Sequence, residues 1–101
     1  MGAEVPSTQA VDDAESFLHT LPVDDIERPH IALSADGEIN FYWETARGKL
    51  DLGIFGDGTY SYFGEAADGE RFFCDDEPVE TPLSRAILHL IGRVWKNEVQ
   101  A

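Results

Sequence analysis

The chain has 101 residues and carries twenty Asp and Glu side chains against seven Lys and Arg, a formal net charge of −13. This length suits one domain and is too short for two, and a 43% share of hydrophobic residues is typical of a folded chain. The negative charge predicts repulsion from nucleic acids and anionic membranes, and attraction to basic protein surfaces. Alternatively, the acids serve solubility alone.

The cysteine content and the N-terminal composition bear on location. Cys74 is the only cysteine, which precludes an internal disulfide and fits a reducing compartment. The N-terminus lacks the basic and apolar regions of a signal peptide, and no apolar run approaches the roughly 20 residues of a membrane span. We therefore expect a cytoplasmic protein that has no membrane partner.

The first predicted element is a helix that follows a short polar segment. Residues 1–10 predict a flexible N-terminal lead, and residues 11–101 predict a single α+β domain. Ser7 or Thr8 is a candidate cap of the helix, and Pro22 ends it. The apolar residues recur at helical spacing: Val11, Ala14, Phe17, Leu18 and Leu21. An acidic connector over residues 23–29 leads to the next element.

The middle of the chain predicts a series of hairpins. Asp-Gly occurs three times, each time between short runs of aromatic and β-branched residues. The predicted strands are 30–34, 38–44, 49–55, 59–65 and 70–74. If each Asp-Gly closes a three-residue loop, Gly37, Gly58 and Gly69 take a positive φ.

The same loops fix the register of the strands, because a slip of one residue would send every side chain to the wrong face. They pair Ile31 with Phe41 and Ile54 with Tyr60, and a four-residue turn at 45–48 pairs Trp43 with Leu50. One apolar face results, on which Trp43 and Leu52 should be buried. Its members are Ile31, Leu33, Ile39, Phe41, Trp43, Leu50, Leu52, Ile54, Tyr60, Tyr62, Phe72 and Cys74.

A closing helix is predicted over about residues 82–98. Thr81 is the candidate cap and Pro82 suits the first helical position. An apolar stripe follows at helical spacing: Leu83, Ile87, Leu90, Ile91 and Val94, with Trp95 beside it. The predicted fold is therefore a five-stranded antiparallel β-meander, flanked by an N-terminal helix and packed on a C-terminal helix.

No pattern in the sequence indicates catalysis, a cofactor or a metal site. His19, His30 and His89 lie on separate elements without the spacing of metal ligands. The acids after Cys74 should raise the pKa of its thiol, which disfavours a nucleophile. The stretch at 75–78, Asp-Asp-Glu-Pro, lacks the alternating ligands and central glycine of a calcium loop, so we expect a solvated loop there.

The outer face of the predicted sheet holds the candidate binding residues. The register places four aromatic side chains there, together with four acids. The N-terminal helix either covers these aromatic residues through Phe17 and Leu18, or leaves them as a partner-binding patch with an acidic rim. The candidate residues are Glu38, Tyr42, Glu44, Asp51, Phe55, Phe63, Glu65 and Phe73.

The stretches 29–43 and 57–62, together with the helix at 82–93, show a resemblance to known proteins. They resemble a loose group of short, acidic bacterial α+β proteins that share a strand, an Asp-Gly, a strand ending in Trp, a second Asp-Gly strand and a closing apolar helix. The resemblance implies the meander and a bacterial origin, from mobile or plasmid-borne DNA. It implies no catalytic residue.

The leading hypothesis is a non-enzymatic binding protein whose acidic surface engages a basic protein. An antitoxin, an immunity protein and a phage-type inhibitor of a nucleic-acid-binding enzyme all fit this description. One alternative is a self-associating protein, such as a homodimer, that uses Phe63 and Phe73. A less favoured alternative is a metal-dependent hydrolase that uses Asp75, Asp76 and a histidine.

Overall fold

The computed structural model describes residues 8–34 and 36–93 and confirms the α+β meander. Five antiparallel strands form one open sheet in the order β1-β2-β3-β4-β5, so every strand pairs with its neighbour in the chain. No helix in these two ranges is long and apolar enough to cross a membrane. The elements are α1 Thr8–Leu18, β1 His30–Leu33, β2 Ile39–Thr45, β3 Gly48–Ile54, β4 Thr59–Ala66, β5 Arg71–Pro78 and α2 Arg85–Ile91.

The turns set the register that the sequence predicts. The φ values of Gly37, Gly58 and Gly69 are 88°, 85° and 94°. These values lie in the left-handed region, which residues with a side chain rarely adopt. Ile31 lies opposite Phe41, Trp43 opposite Leu50 and Ile54 opposite Tyr60, as predicted. The Asp-Gly turns therefore determine which side chains share a face.

The core lies between the sheet and both helices, which pack over β2 and β3 on the same side. Phe17 of α1 is fully buried against Phe41 and Tyr60, with ring centroids 5.6 and 5.2 Å away. Trp43 is also buried, and its indole N–H donates to the Glu27 carbonyl at 2.8 Å. The burial of Trp43 and Leu52 is thus confirmed. The N-terminal helix covers the apolar face and leaves the outer face open.

Two residues predicted for the core are exposed at the edge of the sheet. Ile31 and Leu33 point to the apolar face in the predicted register, but their side chains are 60% and 52% exposed. Within the described residues, the helices pack mainly over β2 and β3 and leave these two side chains at the edge exposed. The prediction of their burial was wrong because strand alternation fixes the face and not the area that the helices cover.

The ends of three elements differ from the sequence prediction. The strand β5 continues to Pro78, so the predicted loop at 75–78 is strand. The cap of α2 is Ser84, whose hydroxyl accepts from the Ile87 N–H at 3.3 Å, and not Thr81. The helix α1 begins at Thr8, inside the segment assigned to the lead. The helix α2 is also shorter than predicted, since it ends at Ile91 and residues 82–84 and 92–93 are not helical. The candidate cap Ser7 and the predicted helical residues 94–98 lie outside the described residues.

A buried carboxylate joins α1 to the sheet. Asp13 is 4% exposed, and its Oδ2 accepts from the Gly58 N–H at 2.7 Å. Its Oδ1 accepts from the Gln9 side chain at 2.7 Å. The two hydrogen bonds satisfy this buried side chain, so Asp13 holds α1 in place over the turn between β3 and β4.

Candidate functional site

The candidate site is the outer face of the sheet, opposite both helices. One row of side chains crosses all five strands here, because consecutive partners in the register share a face. The row runs His30, Tyr42, Asp51, Phe63 and Phe73. The structure thus brings four of the eight predicted residues into a single row.

Three of the four aromatic side chains of this face are exposed, and Tyr42 is half-buried. The rings of Phe63 and Phe73 stack with centroids 6.2 Å apart and an interplanar angle of 21°. They are 43% and 73% exposed, and Phe55 is 53% exposed. Of the two sequence-based alternatives, coverage of these rings by α1 is therefore wrong, because Phe17 lies in the core on the opposite face.

One end of the outer face carries balanced charge. A second row of cross-strand partners places Glu44 beside Lys49, Lys49 beside Glu65, and Glu65 beside Arg71. Glu65 forms ion pairs at 3.8 Å with both Lys49 and Arg71. Glu44 also accepts a hydrogen bond from the Tyr42 hydroxyl at 3.3 Å. Glu44 and Glu65 thus belong to an alternating row of charges and not to a purely acidic rim.

The other end of the face contains a depression of about 330 Å³. Its floor is Gly53, where an added Cβ would collide with the carboxylate of Glu38. Asp51 and Asp75 line it together with Glu38, while Phe55 and Phe63 supply apolar walls. We call this depression the acidic groove. It combines three carboxylates with two phenylalanine rings and has no Lys or Arg among its lining residues.

Electrostatic strain is visible at Glu38. Partial burial raises the pKa of its carboxyl, and the negative charges of Asp36 and Asp51 act in the same direction. Asp51 is held by the Asn40 side chain, which donates to its Oδ1 at 2.7 Å. A cation placed in the acidic groove would interact favourably with all of these carboxylates.

Asp75 is the groove residue that the sequence analysis missed. It lies two residues after Phe73 on β5, so continued strand alternation puts it on the outer face. The run of acids that ends in Pro78 is typical of a loop, so a loop and not a strand was predicted for residues 75–78. Asp76 then adopts a φ of 56°, and its N–H donates to the Ser61 hydroxyl at 3.1 Å.

The thiol of Cys74 faces the helical side and is half-buried. Burial raises its pKa to about 11, and the hydrogen bond to Glu77 and the charges of Glu77, Asp75 and Asp76 add to the effect. The Sγ lies 3.3 Å from Glu77 Oε2. This environment opposes the thiolate and therefore opposes nucleophilic chemistry.

We expect iodoacetamide to label Cys74 about a hundredfold more slowly at neutral pH than a cysteine with an ordinary pKa, since the thiolate fraction falls tenfold per pKa unit. The variant Glu77→Gln removes the nearest negative charge and should react faster. The rates can be followed by mass spectrometry, with glutathione as the reference. Labelling as fast as glutathione would contradict the raised pKa.

The other potential sites among the described residues do not indicate a particular ligand. No group of three or more His, Cys, Asp or Glu side chains there is arranged to hold a metal ion. A larger depression of about 740 Å³ lies beside α2, and Phe72 and Leu90 line it. Arg85 and His89 line it as well, but so do Asp68 and Glu70, so its charge is mixed and favours no ligand class.

Comparison of the chain with protein-family models, with curated proteins and with solved structures gives no match. The geometry and charge of this chain are therefore the basis for assigning a function.

Proposed function

We propose that the protein is a non-enzymatic binding protein whose outer sheet face docks a basic protein partner. The observation that carries the proposal is the uncovered face itself, where stacked and exposed phenylalanine rings adjoin the acidic groove. Aromatic anchors beside charged residues are typical of protein-protein binding surfaces. The strand framework holds these side chains in fixed positions before binding.

The charge of the acidic groove specifies the partner's chemistry. The groove is lined by Glu38, Asp51 and Asp75. The ion pairs of the outer face lie outside the groove, at the opposite end of that face. The rings of Phe55 and Phe63 are also part of the groove wall. A Lys or Arg side chain fits both features, because its cation is attracted to carboxylates and to the faces of aromatic rings.

The net charge of −13 adds a long-range contribution. It would steer a basic protein toward the chain and would repel nucleic acid directly. An inhibitor of a nucleic-acid-binding enzyme, an antitoxin and an immunity protein are the classes that use such a surface. For the first of these, the groove carboxylates would take the place of nucleic-acid phosphates in the enzyme's basic cleft.

We test the proposal with two variants of equal charge. The groove variant combines Glu38→Gln, Asp51→Asn and Asp75→Asn. The control variant neutralises three exposed acids elsewhere, Glu15→Gln, Asp24→Asn and Glu80→Gln. Partners that co-purify with the tagged native chain are identified by mass spectrometry, and the purified partner is then used for binding kinetics at several salt concentrations.

We expect the native association rate to fall steeply as salt rises, and the groove variant to associate about tenfold more slowly than the control variant. Both variants should fold, because neither removes a buried apolar group. Equal association rates for the two variants, or a rate that does not respond to salt, would contradict a specific role for the groove. The acids would then be explained by solubility.

A further inference from the structure

The two edges of the sheet differ in how they are protected. An unpaired edge strand offers free backbone N–H and C=O groups to another chain, and proteins usually block it with charges, bulges or proline. On β5 the last part of the edge has all three: acids at 75–77, a register irregularity opposite Tyr60 and Tyr62, and Pro78. On β1 no residue of His30–Leu33 is an acid, a Lys, an Arg or a proline. In the part of the chain that the structure describes, the edge of β1 is therefore open.

The backbone of β1 presents its free groups at two apolar residues. The N–H of Ser34 donates to the Glu38 carbonyl at 3.0 Å, so Ser34 points its backbone groups toward β2. Bonding direction alternates along an antiparallel strand, which turns the backbone groups of Ile31 and Leu33 toward the open edge. Their side chains are also the exposed apolar ones, at 60% and 52%. Within residues 8–34 and 36–93, the outward backbone groups of Ile31 and Leu33 have no hydrogen-bond partner, and both side chains are exposed.

We propose that β1 pairs with β1 of a second copy of this chain, antiparallel about a two-fold axis through Ala32. This register sets Ile31 opposite Leu33 of the other copy, and each such pair exchanges backbone hydrogen bonds. It gathers the Ile31 and Leu33 side chains of both copies into one apolar cluster on the helical side. On the outer face Ala32 meets its own copy, and two small side chains allow close approach.

The charges at the ends of β1 are self-complementary in this register. Arg28 and Asp36 lie four residues to either side of Ala32, so Arg28 of one copy and Asp36 of the other lie at the same end of the paired strands. Within the described residues Arg28 is exposed and forms no ion pair. A closed two-fold contact uses the same patch on both subunits, and this patch meets that condition. No partner of different sequence is needed to explain it.

The pairing uses the backbone edge of β1 and side chains on the helical side, whereas the acidic groove lies on the outer face, from Asn40 on β2 to Asp75 on β5, and so stays open. Dimerisation would extend the sheet and present two grooves on one continuous outer face. The contact is small, since β1 has only four residues, and each subunit carries a charge of −13. We therefore expect a weak dimer that strengthens as salt screens the repulsion. Partner binding by the groove responds to salt in the opposite direction.

Sedimentation equilibrium from about 10 μM to about 1 mM, the range in which a small interface is populated, tests the proposal. The dimer fraction should rise with protein concentration and with salt. Leu33→Lys should abolish the dimer, while Val23→Lys, at a site of 59% exposure outside β1, should not. The two changes add the same charge. A native chain that stays monomeric at high salt, or equal behaviour of the two variants, would overturn the proposal.

A cysteine variant tests the register itself. Facing residues in a non-hydrogen-bonded pair have Cα atoms about 4.5 Å apart, which is within the range of a disulfide. In the Cys74→Ala background, Ala32→Cys should form a disulfide-linked dimer in oxidised glutathione much faster than Val23→Cys. Equal rates would overturn the two-fold axis at Ala32. Loss of the native dimer on Phe63→Ala, with retention on Leu33→Lys, would place the contact on the outer face and would also overturn the proposal.

Discussion

The Phe17→Ala variant should lose about 3–5 kcal/mol of unfolding free energy, the usual cost of truncating a fully buried phenylalanine. Phe17 is the residue of α1 that contacts both Phe41 and Tyr60, so its loss leaves a cavity between α1 and the sheet. Domains of this size are stable by only about 5–15 kcal/mol, so the change removes a large share of the total. Urea unfolding followed by circular dichroism measures it.

Phe63→Ala is the matched control for this measurement. It makes the same truncation on the opposite face, where the ring is 43% exposed and, among the aromatic rings of the described residues, packs only on Phe73. We expect it to cost under about 1 kcal/mol, as substitutions outside a core usually do. Equal losses for the two variants would contradict the placement of both helices on one face.

The second large effect concerns binding. In complex with the basic partner, Phe63→Ala should raise the dissociation rate about 30-fold, which corresponds to a loss of about 2 kcal/mol at an anchor residue. Phe63 borders both Phe73 and the acidic groove, so its ring is positioned to contact the partner at the centre of the face. The association rate should change little, because no charge is altered.

Surface plasmon resonance with the purified partner separates the two rates. Val11→Ala truncates an exposed apolar side chain of α1, which packs on the opposite face, and should leave both rates unchanged. An equal effect of Phe63→Ala and Val11→Ala on the dissociation rate would contradict the outer face as the docking surface. The melting temperature of each variant provides the check on folding.

The pairing of the strands could be predicted because it is determined by residues that lie close together in the sequence. Each Asp-Gly turn sets the pairing of the strands beside it, and alternation then assigns every side chain to a face. The outer-face positions of Tyr42, Asp51, Phe63 and Phe73 followed from these two rules and are seen in the structure. The positive φ angles of the turn glycines followed in the same way.

The remaining features depend on contacts between distant parts of the chain. The apolar stripe of α1 fits either face of the sheet, and only the packing of Phe17 against Phe41 and Tyr60 decides between them. The exposure of Ile31 and Leu33 depends on how far the helices reach. The acidic groove depends on the length of β5, which its loop-like composition conceals. The periodicity of the sequence does not indicate any of these three features.

The consecutive order of the strands also bears on how the chain folds. Neighbouring strands close short loops at a small entropic cost, so the hairpins can form early. The helical layer needs partners far along the chain, such as Asp13 and Gly58, which are 45 residues apart. We expect α1 to dock after the transition state, so that Phe17→Ala mainly accelerates unfolding in stopped-flow measurements and leaves the folding rate nearly unchanged. The sheet, with its exposed outer face, then assembles before its own core is closed.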